Sequence, residues 1–449
     1  MASPLPTLQS WLLGQCHRED AVGTLARLSL AQREDVEKLG FEAWLEQHVA
    51  GKVMAYAIEQ VRAEYAACLE KLKSTGHSPS FPSWRVDRVV ENASADAWAR
   101  HRAEPGVSAD EYVRRKRREL RGQLDKLARP YIDTCHWIRL REVVMNDPRM
   151  NARYVPVLAK LRELKSAGKI LCPFSFPVFV ELNKQTSDET RRAMARLIDE
   201  LSDGVCLEPP PVIEEVELRR QVLQSVFGPG APDLKEWIWT KAAWVCGQAL
   251  PEATAFSPED QNTIKKVFTD HVWSSRLSDL VEFSPTKPMP PFLEELAAKF
   301  GQDAKTYREQ KATYQRVWQE EKTHLVGKLV RQDLPRIADE IWRQFPKESA
   351  LAMNANSGKK KPDPGMLASV QILAAVHASF FTASSNMKFE ANDLIDAQHA
   401  AVGLPYCDLL FVDKPLAHRL NSKPLDFGRV YGKPITGDPV EFLTWLEKL

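Results

Sequence analysis

Between residues 130 and 211 the hydrophobic period of the chain alternates between strand-like and helical. PYIDTCHWI (130–138) is short, apolar and turn-bounded, which suits a strand. Residues 154–168 have helical spacing, and KILCPFS (169–175) is a second strand candidate. Residues 178–202 return to helical spacing through Phe179, Leu182, Met194, Leu197 and Leu201. GVCLEPPP (204–211) is a third strand, ended by prolines. Strands separated by helices pair in parallel, with right-handed crossovers. The alternation therefore predicts an α/β fold with a parallel sheet flanked by helices.

The flanking regions read differently. Residues 8–70 have helical spacing, and 71–108 form a Pro- and Gly-bearing linker with one short helix around Ser94–His101. A basic helix follows over 109–129. From 214 to about 350 the strand signal disappears, and six tryptophans fall in this stretch, so it reads as a helical insertion. SGKKKPDPG (357–365) is a polar break. Helices are expected at 365–383 and 391–402, strands at YCDLLFVD (406–413) and GRVYGKPIT (428–436), and a closing helix at 438–448. The expected organisation is a helical region over 1–70, a linker and basic helix over 71–129, an α/β domain in two parts (130–220 and 365–449), and a helical insertion over 221–364.

The 449 residues carry 61 basic and 60 acidic side chains, a net charge of +1. That balance excludes a protein whose whole surface grips nucleic acid, but not a local basic face beside an acidic pocket. No run approaches the ~20 apolar residues of a membrane span. The start, MASPLPTLQSWLLG, has neither the charged n-region nor the apolar h-region of a signal peptide. The seven cysteines are widely spaced and form no Cys-x-x-Cys, which fits buried thiols in a reducing, cytoplasmic setting.

Acidic residues at strand ends carry the chemistry. Asp133 lies inside an apolar strand candidate, where a carboxylate is costly unless paired or metal-bound. Glu181 follows the second strand. Asp393 and Asp396 are three apart in ANDLIDAQHAA, so a helix sets them on one face. Asp408 and Asp413 flank LLFV. Ligands of open α/β sheets bind beyond the carboxyl ends of the strands. Carboxylates gathered there repel one another, and a divalent cation relieves the conflict; oxygen donors suit Mg²⁺ or Mn²⁺. Such a site suits phosphodiester hydrolysis. Each acid also has an ordinary alternative, as a helix-dipole partner, a turn cap or a solvated side chain.

With these residues in view, 130–220 and 365–449 resemble the PIN-like nuclease domains. Asp133-Thr134 is similar to the family's opening acid, CPFSFPVFVELNK to the motif whose helix supplies Glu181, and NDLIDAQHAAVGLPYCDLLFVDK to the last two motifs. The resemblance implies a Mg²⁺- or Mn²⁺-dependent endonuclease acting on RNA, with Asp133, Glu181, Asp393 and Asp413 catalytic. Asp396 and Asp408 are added as metal ligands, and Ser175 and Asn392 as polar neighbours that could touch substrate. Asp393 and Asp396 compete as third acid. Two departures stand out: Phe411-Val412 replaces the polar residue usual before the last Asp, and the insertion is long. They leave open a degenerate interaction protein, and a DNA-directed nuclease would share the metal chemistry.

LQSWLLGQCHREDAVGTLARLSLAQ with FEAWLEQHV resembles the small bacterial YozE-like, SAM-like helical domains, which implies a protein-interaction module. Arg114, Arg115, Lys116, Arg117 and Arg118 could grip phosphates, or form a mixed-charge helix face. Lys359–Lys361 reads as a solvated loop, the tryptophans as core, and His136 and His399 as hydrogen-bonded histidines near the acids. Gly428–Lys433 lacks the spacing and the Ser or Thr of a phosphate loop.

Overall fold

Tyr131 and Ile132 form, with Pro130, an edge strand of the parallel sheet. The computed structural model describes residues 95–228, 231, 233–251, 257–283, 291–344, 367–383 and 390–449. The chain divides into two units at Arg88 and Val89, and every described residue belongs to the second. The helical region expected over 1–70, residues 71–94 of the linker and Lys359–Lys361 lie outside the described residues.

In chain order, α1 (Ala95–Arg102) and α2 (Ala109–Leu124) lead into β1 (Pro130–Ile132). Then come α3 (Thr134–Val144), α4 (Tyr154–Ser166), α5 (Phe176–Lys184), α6 (Asp188–Ser202) and β2 (Val205–Leu207). The insertion holds α7 (Pro210–Phe227), β3 (Trp239–Lys241), α8 (Pro258–Ser274), α9 (Leu277–Phe283), α10 (Pro291–Glu309) and α11 (Tyr314–Gln344). The last part is α12 (Ala368–Phe381), α13 (Ala391–Tyr406), β4 (Leu409–Phe411), α14 (Lys414–Asn421), α15 (Phe427–Tyr431), β5 (Ile435–Thr436) and α16 (Pro439–Leu446).

The α/β expectation holds at the level of class: the described chain is mostly helical around a small parallel sheet. β4 lies between β1 and β5 and is parallel to both, with Tyr131 opposite Leu410 and Phe411 opposite Thr436. Alternation sorts the side chains to two faces. Tyr131, Leu410 and Ile435 pack with Ile372, Ala397 and Leu404 from α12 and α13. Ile132, Leu409 and Phe411 pack with Trp137, Leu158, Ile198 and Phe442 from α3, α4, α6 and α16. Both faces are covered, which is why these strands are apolar throughout instead of alternating.

Several strand expectations shorten or move. PYIDTCHWI is strand only to Ile132, because Asp133 starts α3. KILCPFS forms no strand: it touches its neighbours at two isolated bridges, Ala128 with Ile170 and Phe174 with Cys206. Pro173 sits between them and has no N–H for a continuous ladder. GRVYGKPIT is helical in its first part and strand only at Ile435–Thr436. The insertion is not wholly helical, since β3 pairs antiparallel to β2 with Trp239 opposite Leu207. Three residues are too few for any periodicity to register.

Two glycines permit close approaches near the catalytic-looking end. A Cβ on Gly403 of α13 would meet the Tyr131 ring at 3.0 Å. A Cβ on Gly437 would meet the Lys414 backbone at 2.7 Å, so no side chain fits between β5 and the turn after β4.

Candidate metal centre

Asp133 is the first residue past β1 and occupies the N-cap position of α3, yet its carboxylate makes no cap bond. Its backbone N–H instead donates to Phe411 O at 2.9 Å, tying it to β4. The carboxylate is left to face the carboxyl ends of β1 and β4, where it accepts from the Asp413 N–H at 3.3 Å. Glu181 arrives from α5, whose start is set by Ser175 and Pro177. His399 arrives from α13, fully buried.

These three converge. His399 Nε2 lies 3.0 Å from Glu181 Oε2 and 3.3 Å from Asp133 Oδ1. One donor atom from each of Asp133, Glu181 and His399 lies within 4.8 Å of the other two. The other ring nitrogen is held as well: His399 Nδ1 is 2.6 Å from the Tyr131 hydroxyl, which is 2.7 Å from Ser175 Oγ. With both ring nitrogens protonated, the chain of donors runs from His399 to Tyr131 to Ser175.

Electrostatics follow from this packing. Burial by itself would lower His399, but Asp133, the bond to Glu181 and then Asp396 raise it to about 9. The ring is therefore an imidazolium at neutral pH. Burial would raise Glu181, yet the bonded His399 outweighs it and holds that carboxyl below its usual value. Asp133 is raised, first by burial, with His399 opposing and Glu181 and Asp413 adding. Asp396 is raised to about 8, again by burial first, then by Asp133 and Asp413. Carboxylates crowded in a half-buried cleft thus keep one proton among them.

Lys184 lies one helical turn from Glu181, and its Nζ is buried with no hydrogen-bond partner. Burial lowers it, with Glu181 and Asp396 opposing. Behind the site, His136 stacks on Phe411 (3.4 Å between centroids), and its ring nitrogens contact Tyr154 Oη at 2.7 Å and the Val412 carbonyl at 2.8 Å. It braces the chain just before Asp413.

The expected site residues separate into three groups. Asp133 and Glu181 meet in the cluster, Asp396 is coupled to it by charge, and Asp413 is tied to Asp133 through its N–H while one of its carboxylate oxygens accepts from Leu416 N–H at 2.7 Å to cap α14. Ser175 acts through Tyr131. Asp393 is turned to helix capping: it accepts from Glu390 N–H at 2.7 Å in a capping box with Glu390. Asn392 is exposed. Asp408 lies at the other end of β4, where Arg129 Nε and Nη2 grip it at 3.0 and 3.1 Å.

The basic run is spent within the protein. Arg114 and Arg118 pair with Glu111, Arg115 with Glu104, and Lys116 with Asp270. Arg117 is only 2% exposed and pairs with buried Glu208 at 2.5 Å. A phosphate stripe is not formed there, because each cation already faces an acid. Sequence reasoning passed over Tyr131 and read His399 as an ordinary hydrogen-bonded histidine near the acids. The signal for a larger role at His399 was its place three residues after Asp396, on the same helix face.

No helix among the described residues is long and apolar enough to cross a membrane. No protein-family model matches the chain, and neither the curated proteins nor the solved structures contain a match to it.

Proposed function

We propose that the chain is a metal-dependent endonuclease of the PIN-like type, acting on RNA. The observation that carries the reading is the convergence of Asp133, Glu181 and His399 at the carboxyl ends of two parallel strands. Ligands ~2.1 Å from a six-coordinate ion lie about 3 Å apart when adjacent and about 4.2 Å apart when opposite. The His399 contacts of 3.0 and 3.3 Å match adjacent positions. Mixed carboxylate and imidazole donors suit Mn²⁺ better than Mg²⁺.

Asp133, Glu181 and His399 would hold the ion, with Asp396 and Asp413 as flanking acids. Bound there, a divalent cation supplies Lewis-acid charge for phosphodiester hydrolysis. The chain's own groups do the rest. Asp396 retains a proton to about pH 8 in the metal-free protein and can exchange it with the reacting groups. Lys184, buried one helical turn from Glu181 and without a hydrogen-bond partner, would add positive charge behind the acids. Tyr131 and Ser175 fix the His399 ring so that Nε2 points at the two carboxylates.

Purified chain should cut total RNA in the presence of Mn²⁺ and not in EDTA, and Asp133→Asn should abolish cutting. Single-stranded and duplex DNA run in parallel decide the substrate class. Equal activity in wild type and Asp133→Asn would sink the site assignment.

One observation favours a second reading, an interaction protein with a degenerate nuclease fold. The imidazolium of His399 already neutralises part of the acid cluster, so the fold can tolerate the site without a metal. Absence of both Mn²⁺-dependent cleavage and Mn²⁺-dependent thermal stabilisation would decide for it.

A further inference from the structure

At the opposite end of β4 from Asp413 lies a cavity of about 320 Å³ whose wall carries Arg121, Arg129, Arg220, Lys235 and Lys433. Two acids line it: Asp408, which is held by Arg129, and Glu217, whose hydrogen-bond donors are all neutral. Asp408 accepts from Arg129 Nε, Nη2 and backbone N at 3.0, 3.1 and 2.8 Å. Glu217 accepts from Ser369 N–H at 3.0 Å, from Ser369 Oγ at 2.7 Å and from the Tyr406 hydroxyl. Arg121 and Lys235 have acids of their own outside the cavity, Asp125 and Asp233. Lys433 donates only to neutral carbonyls, Leu404 O at 2.7 Å and Pro405 O at 3.2 Å. Arg220 makes no hydrogen-bonded ion pair among the described residues, and its charge acts on Glu217 across the cavity. Five cations against two acids leave the lining of this partly open cavity positive, and Lys433 has no ion pair there. Burial lowers Lys433, with Cys407 and Asp408 opposing and Arg129 adding to it.

We propose that this cavity binds a phosphate monoester of nucleotide size. Arg220 and Lys433 supply the counter-charge of a dianion, Gln221 and Gln224 add amide donors, and the rings of Tyr406 and Tyr431 offer an apolar wall for the attached group. The volume sits at the lower end of the ~300–1,000 Å³ range of small-ligand pockets, which suits one nucleotide and not the body of a strand. The site is separate from the metal centre. The five residues from Asp408 to Asp413 span about 16 Å at ~3.3 Å each. The phosphate can come from a free nucleotide or from the 5′ end of an RNA strand.

Calorimetric titration of the full chain in EDTA with AMP, adenosine, inorganic phosphate, and 5′-phosphorylated and 5′-hydroxyl RNA oligonucleotides tests this. AMP should bind more tightly than adenosine. Arg220→Gln, which removes no hydrogen bond among the described residues, should weaken AMP at least about tenfold with an unchanged melting temperature, as loss of one charge-assisted contact does. Lys433→Gln should weaken it similarly, and Asp133→Asn should leave it intact. Competition by 5′-phosphorylated but not 5′-hydroxyl RNA identifies a strand end; binding of AMP without such competition identifies a free nucleotide. The proposal is overturned if wild type binds no AMP, if adenosine binds equally well, if Arg220→Gln binds like wild type, or if Asp133→Asn loses binding.

Discussion

Replacing His399 with Gln removes a buried charge while keeping size and one polar contact, and its effect should depend on pH. The imidazole moves from an ordinary 6.5 to about 9 on folding. At about 1.4 kcal/mol per pH unit that amounts to about 3 kcal/mol. Because the folded value is the higher one, this stability is fully present below pH 6.5 and disappears as pH rises through about 9. Glu181 moves the other way, so its share holds above 4.5 and falls away as acid protonates it; it is the same contact and adds nothing further. His399 also lowers Asp396, so that carboxyl ionises at a higher pH in the variant than in wild type. In EDTA, His399→Gln should therefore be about 3 kcal/mol less stable than wild type at pH 6, roughly 6 °C in melting temperature at about 2 °C per kcal/mol. By pH 9.5 the two should melt nearly together. Melting followed by tryptophan fluorescence across pH 6–9.5 measures this. A gap that stays constant with pH would refute the placement of an imidazolium between Asp133 and Glu181.

Mn²⁺ at about a hundred times its Kd should stabilise wild type by about 2.7 kcal/mol, measured as a melting shift, with tighter apparent binding at pH 8 than at pH 6 because protons leave His399 and Asp396. Arg117→Ala should cost about 3–5 kcal/mol in thermal or urea unfolding by stranding Glu208, whereas Arg117→Met with Glu208→Leu should come close to wild type. Gly403→Ala should cost about 1–3 kcal/mol by pushing the Tyr131 ring, and should also lower any Mn²⁺-dependent cleavage through the displaced His399. Asp396→Asn should impair cleavage far more than Asp393→Asn, whose loss should register as about 1 kcal/mol of helix-cap stability.

Sequence pattern resolved the frame well where many residues vote. The helices at 154–166, 368–381 and 391–406 came from repeated apolar spacing, and LLF was bounded by polar neighbours. It failed where geometry rests on two or three residues. KILCPFS has strand composition, but one proline suffices to break its ladder, and WTK is too short for its composition to show what Leu207 selects by pairing with Trp239. Acid positions were readable and their partners were not. Asp393 and Asp396 look alike in sequence; one is consumed by Glu390 N–H and the other is left in the cleft, because capping depends on where α13 begins. The basic run read as a possible phosphate grip because Glu111, Glu104, Asp270 and Glu208, which neutralise it, lie 3 to 154 residues away along the chain.

The same reasoning explains why His399 carries more of the site than its sequence position suggests. A histidine on an apolar helix face is ordinarily a neutral core residue, as His136 is, lowered to about 4 by burial. What reverses the sign at His399 is only the direction of the two ring nitrogens. His136 contacts a hydroxyl and a carbonyl, neither charged. His399 faces two carboxylates at one nitrogen and a tyrosine hydroxyl at the other. Both are buried to a similar degree, so desolvation cannot distinguish them, and the difference must come from Asp133 and Glu181. It follows that removing either carboxylate should drive His399 toward the behaviour of His136. NMR titration of the His399 ring in Asp133→Asn should show its pKa falling toward or below 6.5, and a ring that still titrates near 9 would mean that some other group supplies the charge.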